Sequence, residues 1–184
     1  MKSLPDFIKI CEVGPRDGLQ NEKVFLTIEQ KLELIETAAE AGIKVIEIGS
    51  FVNPKAVPQM ADTDQIAARL HRKAGVEYRG LIFNMQGLKR AEAAGISKAK
   101  ITVSASRSHC LRNMNKTPEE AVKSFAELAE YAEQKKIVLS GAIFNIFWLF
   151  YRWNCTIRTS GQYYFSAAKI RNSGNIIVRY DGDG

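Results

Sequence analysis

The sequence predicts an α/β protein built on a parallel sheet, and three observations carry that prediction. Apolar, β-rich runs of five to seven residues alternate along the chain with amphipathic helical segments, the signature of right-handed βαβ units. Two helices open on complete capping signals, Thr27-Ile-Glu-Gln30 and Thr117-Pro-Glu-Glu120, which place helix starts at defined points between the runs. The turn after the first run, Gly14-Pro-Arg-Asp-Gly-Leu-Gln20, has no G-x-G-x-x-G fingerprint, and no Walker-type G-x-x-x-x-G-K-[ST] occurs in the chain. That favours a (β/α)₈ barrel over an open doubly wound sheet.

The elements follow in order. Phe7–Val13 is the first strand, and the helix capped by Thr27 turns Ile28, Leu32, Ile35, Ala38 and Ala39 to one face before Gly42, a left-handed stop. Ile43–Ile48 is the second strand, and Asp62–Lys73 a helix with Ile66, Ala67 and Leu70 inward. Tyr78–Phe83 is the third strand, Gly87–Ala94 a short helix, and Lys100–Ser104 the fourth strand. Thr117 and Pro118 start a helix whose inward face is Ala121, Val122, Phe125, Leu128, Ala129 and Ala132. Ile137–Ile143 is the fifth strand.

A complete barrel takes about 250 residues and eight strands. This chain has 184 residues and shows five strands, so the expectation is an incomplete barrel of about five βα units followed by an irregular tail. Ten of the seventeen aromatic residues and both tryptophans fall in residues 144–184, with five Lys/Arg, two Asp and no Glu. That segment lacks clear caps and sustained 3.6-residue periodicity. The chain therefore divides into residues 1–143, a partial barrel domain, and residues 144–184, an aberrant tail.

Composition bounds the remaining readings. A hydrophobic fraction of 46% and a charged fraction of 25% exclude intrinsic disorder and fibrous repeats for the chain as a whole. No run approaches the roughly 18 apolar residues of a membrane helix, and the first residues lack a signal-peptide core, so the expectation is a cytoplasmic protein with no membrane partner. Cys11, Cys110 and Cys155 match neither a disulfide framework nor a zinc clip. A net charge of +6 suits polyphosphate ligands but does not specify one.

Chemistry concentrates where strands end. Arg16 and Asp17 follow the first strand in a glycine-flanked turn. A carboxylate there offers a hard oxygen ligand for Mg²⁺ or Mn²⁺, and a guanidinium beside it can stabilise an oxyanion; an Arg-Asp pair bracing a loop is the structural alternative. Glu47, penultimate in a strand otherwise of Ile and Val, faces either the barrel axis or the rim. Asn84 stands at the end of the third strand.

The string Glu12-Val-Gly-Pro-Arg-Asp-Gly-Leu-Gln-Asn-Glu22 resembles the opening of the hydroxymethylglutaryl-CoA lyases, metal-dependent TIM-barrel carbon–carbon lyases. Further segments resemble the family in register: Glu40-Ala-Gly-Ile43, Val45-Ile-Glu47, Ser50-Phe-Val-Asn-Pro-Lys55, Val57-Pro-Gln-Met60, Asn84 with Gly87, Ser104-Ala-Ser106 with His109 and Asn115, and Ser140-Gly-Ala142. The resemblance implies cleavage of 3-hydroxy-3-methylglutaryl-CoA, an acyl-CoA substrate, into acetyl-CoA and acetoacetate, a reaction of leucine degradation and ketone-body formation. It further implies a divalent cation, Mg²⁺ or Mn²⁺. By position, Asp17 matches the metal ligand, Arg16 the catalytic and substrate-binding residue at the enolate oxygen, Glu47 a catalytic carboxylate, and Gln20 and Asn84 substrate-binding residues. The opening Arg-Asp pair alone also suits a related metal-dependent aldolase or acyl-transferring synthase of the same barrel; the longer string favours the lyase. A non-catalytic nucleic-acid module built on the basic aromatic tail is a further alternative, and no nucleic-acid partner is expected because no recognition motif accompanies the aromatics.

The chain departs from the family's pattern in its later part. The family also uses a His-x-His pair, an asparagine and a cysteine in a glycine-rich loop. Here His71 and His109 lie 38 positions apart, on a predicted helix and a predicted loop, and neither can stand for the pair. Cys11 reads as a strand core residue and Cys110 as a loop thiol. Trp148 and Trp153 are spaced like the glycines of the family's Gly-Cys-Pro-Tyr-Glu-Gly loop, and TGG read one base later always encodes glycine. A one-base frameshift near codon 144 is the resulting hypothesis. It leads to the expectations that this chain binds its cation poorly, is inactive, and self-associates through an exposed barrel edge.

Overall fold

The computed structural model describes residues 7–104 and 106–144. Its elements are β1 (Cys11–Glu12), α1 (Ile28–Glu40), β2 (Val45–Ser50), α2 (Thr63–Arg69), β3 (Glu77–Ile82), α3 (Met85–Ala93), β4 (Lys98–Ser104), α4 (Arg107–Met114), α5 (Pro118–Gln134) and β5 (Val138–Phe144). A π-turn at Gly14–Gly18 and a 3₁₀ turn at Pro58–Met60 sit in the first two βα connections. The strands form one parallel sheet in the order β1-β2-β3-β4-β5. Each strand lies beside its predecessor, the order of a barrel laid down stave by stave; a doubly wound sheet reverses direction at a switch point. The expected five-unit partial barrel is what the chain builds.

The helices cover one face of that sheet. Leu32, Ile35 and Ala39 of α1, Ile66 and Ala67 of α2, Leu88 and Ala91 of α3, and Ala121, Phe125, Leu128 and Ala132 of α5 pack in a single cluster with Ile46, Ile48, Tyr78, Ile82, Ala99, Ile101 and Val103. Strand side chains alternate between faces, so the other set, Val45, Glu47, Arg79, Leu81, Lys98, Lys100, Ser140 and Ala142, lines the opposite, axial face. Val45, Leu81 and Ala142 are buried but stand outside the helix-side cluster, as that alternation requires. Charge dominates the axial face: Glu77 receives Lys98 and Arg79 at the strand starts, with Lys9 3.5 Å away.

Local rules set several boundaries. Thr27 and Thr117 form both predicted capping boxes, each hydroxyl accepting the N3 amide at 3.2 Å. Asp62 is the N-cap residue of α2 but makes no cap bond, because its two oxygens take the Lys31 ammonium at 2.8 Å. α2 ends at Arg69 rather than Lys73, since Leu70 is already extended. The β2–α2 connection packs on missing side chains: a Cβ on Gly87 would lie 2.5 Å from the Phe51 carbonyl oxygen, and one on Gly80 would strike the Phe51 ring.

Helix α4 was not expected. Its sequence, Arg-Ser-His-Cys-Leu-Arg-Asn-Met, has no apolar stripe, and among its described side chains Cys110 and Met114 reach the core. Among the described residues no helix is long and apolar enough to cross a membrane. The tail from 145 onward, with Trp148, Trp153, Cys155, the reading-frame hypothesis and the nucleic-acid alternative, lies outside the described residues.

Candidate active site at the carboxyl ends of the strands

The turn after β1 builds the site's first wall. Amides of Arg16, Asp17 and Gly18 converge on the Val13 carbonyl at 3.1, 2.7 and 3.4 Å, and the Glu12 carboxylate accepts the Gly14 amide at 2.5 Å. Pro15 fixes φ at the second residue of the turn. This knot of bonds sends the Arg16 side chain inward, where it is 6% exposed, and leaves the Asp17 side chain 40% exposed.

Arg16 meets Glu47. Nε donates to Glu47 Oε2 at 2.9 Å and Nη2 donates to the same oxygen at 2.7 Å, while Nη1 donates to Asp17 Oδ1 at 2.5 Å. Glu47 Oε1 accepts instead from Lys100 Nζ at 2.5 Å. Four charges therefore alternate in sign from Asp17 through Arg16 and Glu47 to Lys100, crossing from the first connection to β4. Glu47 is fully buried and Lys100 is 7% exposed. Burial pushes the Glu47 carboxyl up, but the Arg16 guanidinium and then the Lys100 ammonium outweigh it and hold the group below its ordinary value. The carboxylate is ionised and held on both oxygens.

The axial reading of Glu47 is the correct one, and its expected position needs amendment. Glu47 is third of six residues in β2, not penultimate, because the strand begins at Val45 and runs to Ser50. A register shift between Glu47 and Gly49 marks the place where β2 bends against β3. Lys100 was missed. A lysine in an Ile/Thr/Val strand reads as a rim charge, and its one available signal is that Lys98 and Lys100 share the face opposite Ala99 and Ile101.

The remaining residues singled out in the sequence take the following places. Asn84 caps α3, its Oδ1 accepting the Gly87 amide at 2.9 Å; the Asn-x-x-Gly spacing signals that cap. Gln20 is half-buried just past the π-turn. His71 lies beyond α2, its side chain 93% exposed and Nδ1 3.1 Å from Glu36 Oε1. His109 is on α4 rather than in a loop, half-buried, with its pKa lowered by burial and then by Arg112. Cys110 is likewise helical and 1% exposed, and burial raises its thiol pKa. Cys11 is half-buried on β1, and burial followed by the Glu47 charge raises its thiol.

The described residues do not by themselves form a divalent-cation site. No group of three His, Cys, Asp or Glu side chains comes together among them. Both Glu47 oxygens are taken by cations, and Asp17 shares Oδ1 with Arg16. Asp17, beside them, is a carboxylate whose side chain is 40% exposed.

Comparison with known proteins shows the family. Residues 7–168 match the HMGL-like family model. Two rat proteins, the cytoplasmic 3-hydroxy-3-methylglutaryl-CoA lyase and the mitochondrial hydroxymethylglutaryl-CoA lyase, are 40% and 41% identical over 143 residues, covering 78% of this chain and 42% and 44% of their own lengths. The chain thus spans less than half the length of these relatives. The solved HMG-CoA lyase of Acinetobacter baumannii, in complex with coenzyme A and 3-methylmalate, superposes with a TM-score of 0.83 at 31% identity, covering 92% of this chain and 55% of that one.

Proposed function

Because the chain belongs to the HMGL-like family, we propose that it carries the amino-terminal share of a hydroxymethylglutaryl-CoA lyase site, acting in the cleavage of 3-hydroxy-3-methylglutaryl-CoA to acetyl-CoA and acetoacetate. The observation that supports this reading is the buried pair of Arg16, just beyond β1, and Glu47, midway along β2, with both bonds from Arg16 on one Glu47 oxygen. Breaking the carbon–carbon bond toward a thioester enolate builds negative charge on the thioester oxygen, and a preorganised donor aimed there lowers the barrier. A guanidinium has five N–H donors. In Arg16 three are engaged by Glu47 and Asp17, and two on the terminal nitrogens remain for that oxygen. Glu47 keeps the guanidinium in place; pinned between two cations, it is a poor proton acceptor and serves as a positioning carboxylate.

A divalent cation, Mg²⁺ or Mn²⁺, supplies chelation of hydroxyl and carboxylate oxygens in this reaction class. Asp17 is the residue here that would touch it, and with one carboxylate the 184-residue chain holds it weakly. Gln20, beside the π-turn, and Asn84, whose Oδ1 caps α3, are proposed as further residues that touch substrate. The proposed partner is the acyl-CoA thioester, and the proposed compartment is the cytoplasm.

The test is a chimera. Residues 7–143 replace the corresponding segment of the Acinetobacter lyase, and acetoacetate formation is followed with Mg²⁺ present. The chimera is expected to turn over, with Arg16→Lys lowering kcat by about 10²–10³-fold, the usual cost of a lost oxyanion donor. The 184-residue chain alone is expected to form no acetoacetate. A chimera that folds and binds substrate yet does not turn over would overturn the proposal.

A further inference from the structure

The axial face holds a cation that the reaction described above does not use. Lys100 enters from the middle of β4, 53 residues after Glu47 in the chain, and its ammonium sits 2.5 Å from Glu47 Oε1. Burying a lysine is costly unless a charge and hydrogen bonds answer it, and Lys100 is 7% exposed. What it does to its partner is visible in the bonding. An arginine facing a free carboxylate usually forms a fork, one N–H to each oxygen. Arg16 instead sends Nε and Nη2 to Oε2 alone, and Oε1 belongs to Lys100.

We propose that Lys100 is a positioning residue: by occupying Glu47 Oε1 it confines both Arg16 bonds to Oε2 and thereby sets the plane in which the guanidinium presents its remaining donors. This rests on the reading of Arg16 as the enolate-oxygen donor. The charges fit the assignment. Glu47 alone would neutralise Arg16 and weaken its pull on a developing oxyanion; Lys100 divides that carboxylate's charge between two cations. Without Lys100 the carboxylate is free to turn and take Arg16 in a fork, rotating the guanidinium away from its present plane. Arg79, the register partner of Glu47, and Lys98 beside it bond instead to Glu77, which also pairs with Lys9.

The test uses the full 184-residue chain and needs no turnover. Nitrogen-15 NMR of the arginine side chains reports the Arg16 Nε–H shift and its hydrogen exchange in the unmodified chain, Lys100→Met and Lys100→Arg. In Lys100→Met the Arg16 resonance is expected to shift and its exchange to quicken on the order of tenfold, the scale of one weakened charged hydrogen bond; Lys100→Arg, which keeps a cation on Oε1, is expected to restore both. An Arg16 signal unchanged in Lys100→Met, or changed equally in both variants, overturns the inference. Should Lys100→Met fail to fold, the unmodified chain still decides, because an ammonium held by Glu47 gives a resolved, slowly exchanging Lys100 Nζ signal; absence of that signal overturns the inference. These readouts are independent of acetoacetate formation. An inactive chimera with the NMR response intact counts against the lyase reading, whereas an active chimera with no response counts against Lys100 alone.

Discussion

Glu47 Oε2 receives two bonds from Arg16, at 2.9 and 2.7 Å, across 31 residues of chain and with both side chains withdrawn from water. Such a pair contributes modestly when whole and costs heavily when halved, because the survivor is left as a buried charge.

Glu47→Gln therefore destabilises the folded chain by about 3–5 kcal/mol, since it strands two buried cations together. Urea unfolding followed by circular dichroism measures this. A loss under about 1 kcal/mol would show the cluster behaving like an exposed surface pair.

The same carboxyl governs acid stability. Its folded pKa lies below the ordinary value of 4.5, so above that value Glu47 is ionised in both states and its stabilisation is complete. As pH falls below it the unfolded chain takes up the proton first, and stability declines until the folded carboxyl protonates as well. Glu77, pushed up by burial but pulled lower by Lys98 and Arg79, adds in the same direction. The stability gap between the unmodified chain and Glu47→Gln is expected to be widest near neutral pH and to close in the acid range below 4.5. A gap that widens on acidification contradicts the ionised, doubly held carboxylate.

Gly87→Ala is expected to destabilise by about 1–3 kcal/mol or more, the range of overpacking, because the contact is with the Phe51 backbone oxygen, which cannot rotate away. Gly80→Ala meets the Phe51 ring instead, and Phe51→Leu should rescue part of its loss. Gly18→Ala, with no described neighbour within 4 Å, is the control. Thermal unfolding of the four variants reads the order, and equal effects at Gly87 and Gly18 would remove the packing argument.

Metal affinity should be poor. With Asp17 the one proposed protein ligand among the described residues and Arg16 on its Oδ1, Mg²⁺ and Mn²⁺ are expected to bind with a Kd on the order of 1 mM or weaker. Calorimetry with MnCl₂ checks this. Micromolar binding abolished by Asp17→Asn would show a ligand set richer than the described residues supply.

Association is expected at the outer edge of β1. Phe7, Ile8 and Ile10 are 79%, 74% and 65% exposed beside a strand paired only with β2 among the described residues. An open edge flanked by apolar side chains invites pairing. Sedimentation velocity should show concentration-dependent self-association that Ile8→Lys reduces, and a clean monomer at high concentration would dismiss it.

Legibility in the sequence followed the range of the interaction. Both threonine caps were readable because a capping box closes within four residues, and the alternation of Ile and Val runs with helical stripes was enough for the sheet and its parallel sense. Helix α4 was unreadable because its polar sequence meets the core, among its described side chains, through Cys110 and Met114. Nothing local signals that Asp62, the residue before α2, binds Lys31, 31 residues earlier.

Taken alone, the sequence determined the five-unit α/β order, the helix starts, and the family to which the string around Arg16 and Asp17 belongs, since each of these depends on neighbours along the chain. Only the tertiary structure decided that Glu47 faces the axis, that Arg16 meets it through one oxygen, and that Lys100 holds the other. Those choices depend on which residues of β1, β2 and β4 share a level once the sheet curves. A period-2 pattern assigns faces but not levels, and the register that sets the levels is fixed by packing between elements up to 53 residues apart.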